Sequence, residues 1–238
     1  MSIRLYRGIS VQPENANAVI ARISAHGMAG TEGWWKFRVP QQIDDIQNRV
    51  EEIVLAPEAY NDIYKVETEG LCACGEGIGA AYYARKHNHQ PKEGKTHPLL
   101  ITFRAKDFDV YVDCRDFLVT AFQLFDRHSA HYLDEQRQAL ATLFGSAVLK
   151  YFDLSCKSEE QQIRIGLANI ACFDRAVIEA HYENRRFIAG RHKTQFCSAF
   201  FVKAPVLPGD ILSVDSNVEF NPPNTAYSLD SFFSGIPI

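Results

Sequence analysis

Apolar positions come in short strand-like runs towards both ends of the chain and in helical stripes through its middle. Ile3-Arg4-Leu5-Tyr6 predicts a strand that ends in Arg7 and Gly8. Val19, Ile20 and Ile23 share one face of a helix predicted over residues 13–26, which Gly27 closes. A glycine-punctuated loop over 27–33 leads to Trp34-Trp35-Lys36-Phe37, a strand whose two tryptophans point opposite ways. One ring suits the core and the other a flat ligand, or both serve simply as core-strand or lid hydrophobes.

Pro40 opens a helix striped by Ile43, Ile46, Val50, Ile53 and Val54, and Pro57 ends it. Residues 62–68 read as a strand, 70–79 as a small-residue turn and 80–85 as a short helix, Ala80-Ala81-Tyr82-Tyr83-Ala84-Arg85. The breaker-rich stretch 87–98 is a surface loop, and strands follow at 99–105 and 109–113. From 115 to 173 the period becomes helical. Phe117, Ala121 and Phe125 share a face, and Leu133, Leu140, Phe144 and Val148 extend the pattern. Ser158-Glu159-Glu160-Gln161 reads as a capping box ahead of Ile163, Leu167 and Ile170. Strands return at 176–182, 196–204 and 211–214, with a charged loop or hairpin at 183–193 and a Pro/Gly turn at 205–209. The tail from Asn217 reads as packed irregular structure. With no repeat and no linker, the expectation is a single domain over 1–238 carrying a helical insertion at about 115–173.

Composition narrows the classes. A net charge of -4 provides no overall basic surface for nucleic acid, though it leaves room for a local basic groove. No apolar run approaches the ~20 residues of a membrane helix. Met1-Ser2-Ile3-Arg4 runs straight into a patterned strand, so no signal peptide is expected. Six cysteines, at 72, 74, 114, 156, 172 and 197, are spread unevenly. That spacing speaks against a disulfide framework and for a reducing, cytoplasmic site of action.

Several stretches could carry chemistry. Arg7 offers a planar cationic fork for phosphate or carboxylate, and Gly8 permits close approach to the backbone; an Arg-Gly pair after a strand also reads simply as a turn. Gly75-Glu76-Gly77-Ile78-Gly79 is spaced G-x-G-x-G, which does not fit a dinucleotide-binding fingerprint, yet the helix after it would aim N–H groups at an anion. Cys72, Cys74, His87 and His89 could hold zinc, giving a small metal-stabilised binding module, or could simply pack. The donor-rich loop 190–194 delivers Gln195 to the mouth of an apolar strand, where it could bond a sugar hydroxyl or could simply flank the strand. Glu179 falls on the predicted strand 176–182, on its catalytic or its solvent side.

In combination these stretches resemble the ADP-ribosyltransferase superfamily. Leu5-Tyr6-Arg7-Gly8 is similar to its first-strand motif, an aromatic followed by Arg or His and often Gly. Gly75-Glu76-Gly77-Ile78 followed by Ala80-Ala81-Tyr82-Tyr83-Ala84 is similar to its middle motif, residues 99–113 to the strand pair after it, and Gln195 through Ile211 to its last motif. The resemblance implies an α+β fold, a split, mixed β-sandwich gripping NAD in a cleft, with 115–173 inserted. Tyr6, Arg7, Gly8, Thr68, Tyr82 and Tyr83 would bind NAD: Arg7 at phosphate or ribose, the Gly8 backbone at the nicotinamide amide, Tyr82 or Tyr83 stacked on the ring. Gln195 and Glu69 would be catalytic as the nicotinamide–ribose bond breaks through an oxocarbenium-like state. NAD would be a substrate, and no metal is implied. The ADP-ribose acceptor would be a protein or a nucleic acid, as for an intracellular toxin or effector, which also implies a neutralising partner protein.

The chain departs from the family pattern in two places. A Ser-Thr-Ser run on the second strand is replaced by Thr68 beside Glu69. The last motif ends without a glutamate, since Phe196-Cys197-Ser198-Ala199-Phe200-Phe201 contains none; Gln195 is its nearest polar residue, and Glu69, Glu76 and Glu179 are the carboxylates that could replace it. The rival expectation is a nucleotide- or partner-binding pseudoenzyme of the same fold.

Overall fold

The computed structural model describes residues 2–28, 35–39, 43–55, 66–87, 96–113, 117–123, 130–184, 186–189, 195–221 and 227–228. The chain divides into two compact units, each assembled from three segments. The first takes residues 1–36, 68–111 and 187–226; the second takes 37–67, 112–186 and 227–238. The architecture is α+β, with a largely antiparallel sheet and a set of short helices.

The first unit is built on β1 (Ser2–Val11) and β4 (His97–Lys106), which pair antiparallel along their whole length, from Ser2 opposite Lys106 to Val11 opposite His97. Period-two alternation explains the pairing. Leu5, Leu99, Ile101, Phe103 and Ala105 are buried on one face, while Arg104 and Lys106 reach solvent from the other. β9 (Ile211–Asp215) flanks β4. On the other side stand β3 (Val66–Cys74), β8 (Ala199–Lys203) and β5 (Val110–Val112), giving the strand order β5-β8-β3-β1-β4-β9. The registered pairs are all antiparallel, where the sequence led to a mixed sheet. Among the shorter strands, β2 is Trp35–Val39, and β6 (Ile188–Ala189) pairs antiparallel with β7 (Gln195–Phe196).

Two helices pack onto the strands of this unit. α1 (Ala16–His26) buries Ile23 and stops at Gly27, whose φ of 72° is the left-handed region that favours glycine. α4 (Gly77–Tyr82) continues into a π-type turn, Tyr83–His87. It lies directly over β1: a Cβ added at Gly8 would sit 1.7 Å from the carbonyl oxygen of Ala80. Gly8 is therefore glycine because a helix backbone occupies the space where a side chain would be.

The second unit is helical and includes α2 (Ile43–Asn48), α3 (Val50–Leu55), α5 (Leu118–Gln123), α6 (Ala130–Phe144), α7 (Val148–Lys157), α8 (Gln161–Ala171) and α9 (Arg175–Glu183). Phe117, Phe122, Leu140, Phe144, Tyr151, Phe152, Leu167 and Ile170 fill its core. Asp174 and His181 are among the polar groups enclosed there. Asp174 caps α9 by accepting from the Ala176 amide, and it also accepts from the Tyr151 hydroxyl at 2.7 Å and pairs with Lys150 at 3.0 Å. Burial would raise the Asp174 carboxyl, but the hydrogen bonds from Tyr151, Lys150 and Ala176 outweigh it and hold the group below its ordinary value. Buried His181 stacks on Phe144 and donates from Nδ1 to the Leu143 carbonyl at 3.0 Å; desolvation pushes it down to about 4.

Several sequence expectations change. Residues 176–182 are helix α9, not a strand, because the Asp174 cap starts a helix that buries Val177, Ile178 and His181 on one stripe. Glu179 is thus an exposed helix position. Gly70–Cys74 is strand, not turn: Leu71 pairs with Val202 and Ala73 with Phe200, and small residues suit a strand enclosed by neighbours. The helix predicted from Pro40 is two short ones, α2 and α3, separated at Arg49, and Pro40 itself lies outside the described residues. The strand predicted at 196–204 is broken at Cys197-Ser198 into β7 and β8. No capping box forms, because the N-cap of α8 is Glu160 and the Ser158 hydroxyl instead accepts from the Glu160 amide.

Candidate functional site

β1 pairs over ten positions with β4, and β3 over five with β8, yet β1 and β3 are registered at one pair among the described residues, Tyr6 opposite Cys74. The seven-stranded sheet therefore has β1, β4 and β9 on one side of a narrow seam and β3, β8, β5 and β2, which also pairs with β3, on the other. Arg7, next along β1, reaches across that seam: its Nη1 donates to the carbonyl of Cys72 at 2.7 Å. A side chain on one strand thus bonds a backbone acceptor of the next. Burial lowers the affinity of the guanidinium for its proton, and the neighbouring Cys72 and Cys74 act the other way. Arginine tolerates this because its cation is delocalised.

The turn leaving β3 is fixed from the other side. The Gly75 amide donates to the Ser198 hydroxyl at 3.1 Å and to the Ser198 carbonyl at 3.2 Å, and Ser198 is wholly buried. A Cβ at Gly75 would lie 2.1 Å from that hydroxyl. Glu76 takes the N-cap position of α4 without a side-chain capping bond, and its Oε1 is shielded from solvent. Gly77 packs beside the Tyr6 ring, so the Gly75-Glu76-Gly77 turn sits against the residue that forms the seam.

The predicted site residues divide between faces and ends. Tyr6 and Gly8 face α4, and Arg7, one residue between them, leaves β1 on the opposite side and turns towards β3. Tyr82 is buried; its ring is 5.4 Å from Phe220 and 5.6 Å from Tyr83, beside a cluster of Ala81, Ala84 and Val218. Tyr83 is half-buried on the same helix. Thr68 is half-buried and Glu69 exposed near the start of β3, where the Glu69 carbonyl accepts from the Ala204 amide. Glu69 stands three positions from Cys72, on the other face of the strand and about 10 Å along it. β7, whose first residue is Gln195, packs against α4. Thus Tyr6, Gly8, Tyr82, Tyr83 and the β7 segment gather around α4. Arg7, Cys72 and Cys74 gather at the seam, and Glu69 belongs to neither group.

Among the described residues no group of three His, Cys, Asp or Glu side chains could hold a metal ion. Trp34, His89, Cys114 and the loop 190–194 lie outside the described residues. Two contributors escaped sequence reading. Ser198 sits in an unremarkable Cys-Ser-Ala string, and only the pairing of β3 with β8 brings it to Gly75. Cys72 and Cys74 carried a metal-like spacing, but no local signal placed them beside Arg7. Comparison with protein-family models, curated proteins and solved structures gives no match to this chain.

Proposed function

We propose that the chain is an NAD-dependent ADP-ribosyltransferase-like protein whose site is the seam between β1 and β3. The observation that carries this reading is the half-buried guanidinium of Arg7 at a place where β1 and β3 are registered at one pair among the described residues. Such a cation is suited to the pyrophosphate of a dinucleotide. The glycine turn 75–77 and half-buried Tyr83 lie on the adjoining α4 side of β1, and support comes also from the order of the motifs along the chain. Gly8 serves by admitting α4 rather than by touching nicotinamide. In the transfer, the bond from ribose C1′ to the nicotinamide nitrogen breaks and nicotinamide leaves with the electron pair. A nucleophile of a protein or nucleic acid then bonds to C1′ and gives up its proton. The setting would be the interior of a cell, with the protein acting as a toxin or effector.

Calorimetric titration with NAD, together with nicotinamide release in whole-cell lysate, tests the reading. Arg7→Ala is expected to weaken NAD binding at least tenfold, while Lys157→Ala, on an exposed helix end of the second unit, leaves it unchanged. Absence of NAD binding by the unaltered chain, or equal binding by Arg7→Ala, rejects it. A second reading, NAD binding without turnover, is favoured by the exposure of Glu69 and by the lack of any carboxylate on β8 to face a positive transition state. Tight NAD binding with no nicotinamide release, even with lysate present, would select it.

A further inference from the structure

The outer face of the β1–β4 pair carries charge that strand pairing does not call for. Register sets Arg4 directly opposite Arg104 and Ser2 opposite Lys106, and all four residues are exposed. Opposed residues hold their Cβ atoms about 5 Å apart, and like charges at that spacing destabilise a sheet. Arg104 and Lys106 share this face, about 6.6 Å apart along β4. Gly8 lies on it too, four residues beyond Arg4, and there α4 covers the strand. The cations stand at the other end, clear of the helix.

The row of cations leads to an aromatic ring. Phe108, in the turn Asp107–Asp109 that follows β4, is 58% exposed, and the Lys106 Nζ lies 5.7 Å from its ring centre. Its backbone is tied on both sides: the amide donates to the Asp107 carboxylate at 3.0 Å, and the carbonyl accepts from the Tyr111 hydroxyl at 3.0 Å. The acidic groups of this turn and of the approach to β9, Asp107, Asp109 and Asp210, are half-buried, whereas the three cations are exposed. An apolar ring held in solvent beside opposed cations suits an anion that carries flat apolar faces.

We propose that this face binds single-stranded nucleic acid, with Arg4, Arg104 and Lys106 at phosphates and the Phe108 ring stacked on a base. An acidic peptide matches the charge but gives the ring nothing to stack on. An anionic membrane needs a broader apolar face than one ring, and a duplex keeps its bases stacked out of reach. On a chain of net charge -4 the attraction is confined to this patch.

The full chain, with no NAD present, is titrated against a fluorescein-labelled oligothymidylate of about 15 nucleotides, and anisotropy is read at increasing salt. Affinity is expected to fall with salt at a logarithmic slope of about −2, as for three phosphate contacts on a single strand. Arg104→Thr is expected to weaken binding about fivefold while holding or raising the urea midpoint, because it relieves the opposed pair. Phe108→Ala is expected to weaken binding about fivefold on oligothymidylate and to change nothing on an abasic strand of the same length. Lys157→Ala, in the second unit, leaves both unchanged. Absence of binding by the unaltered chain overturns the proposal without any variant, as does equal affinity for polyglutamate or for phosphatidylserine vesicles. Full binding by Arg104→Thr overturns it as well, and so does an equal effect of Phe108→Ala on the two strands. Because NAD is absent throughout, this outcome and that of the NAD titration are separable.

Discussion

His181 shows how far a single side chain can be removed from its solution behaviour. Its ring is enclosed and stacked on Phe144, with Nδ1 donating to the Leu143 carbonyl, and the loss of hydration on burial is what holds it neutral in the folded protein. Its folded value of about 4 is below the ordinary 6.5, chiefly through desolvation, with the Leu143 bond and the Asp113 charge opposing. The native state therefore has its full stability from this group above pH 6.5. It loses about 3 kcal/mol as pH falls from 6.5 to 4, because only the unfolded chain takes up the proton in that range. Urea unfolding at pH 7, 5.5 and 4 should show this loss, and His181→Gln should flatten it. An undiminished slope in His181→Gln would assign the pH dependence elsewhere. Gly8 is the residue-scale counterpart in the sheet unit. Gly8→Ala forces a methyl onto the Ala80 carbonyl and should cost about 3 kcal/mol, read as a lowered urea midpoint. A midpoint equal to that of the unaltered chain would mean that α4 is not seated on β1 as described.

At the scale of elements, α9 is held at its start by one carboxylate with several duties. Asp174 caps the helix, accepts from Tyr151 and pairs with half-exposed Lys150. Asp174→Ala should cost about 2–4 kcal/mol, since it removes a cap and leaves a buried tyrosine hydroxyl without its acceptor. Asp174→Asn should cost less, because the amide oxygen can still cap. Equal losses in the two variants, measured by urea unfolding, would show that charge rather than hydrogen bonding matters there. The same element explains a misread stretch. Ala176-Val177-Ile178 is β-prone in isolation, and nothing in that string alone separates a buried strand from a short buried helix. The strands β1 and β4 were legible because their apolar positions alternate with period two, but not that they pair with each other. The helix over Tyr82 was legible too, though its start moves to Gly77 once Gly70–Cys74 joins the sheet.

At the scale of the molecule, the enclosed His181 and the Asp174 cluster both belong to the second unit. Units of this kind open semi-independently. Lowering the pH from 6.5 to 4 should therefore deprotect amides in residues 117–183 before those of β1 and β4, once intrinsic exchange rates are corrected. Uniform loss of protection across both units would contradict this. Among the described residues no helix is long and apolar enough to cross a membrane.

The residues themselves determined the long alternating strands, the striped helices, the glycine stop of α1 and the presence of a guanidinium at the end of the first apolar run. These rest on local periodicity and backbone preference, which are properties of neighbours in the chain. Only the tertiary structure decided which face Arg7 leaves from, that it bonds the Cys72 carbonyl, that Gly8 is filled by a helix, and that Ser198 fixes the Gly75 turn. Each of these depends on strand register between segments tens of residues apart. A shift of one residue would send every side chain to the opposite face, and no local pattern encodes that choice.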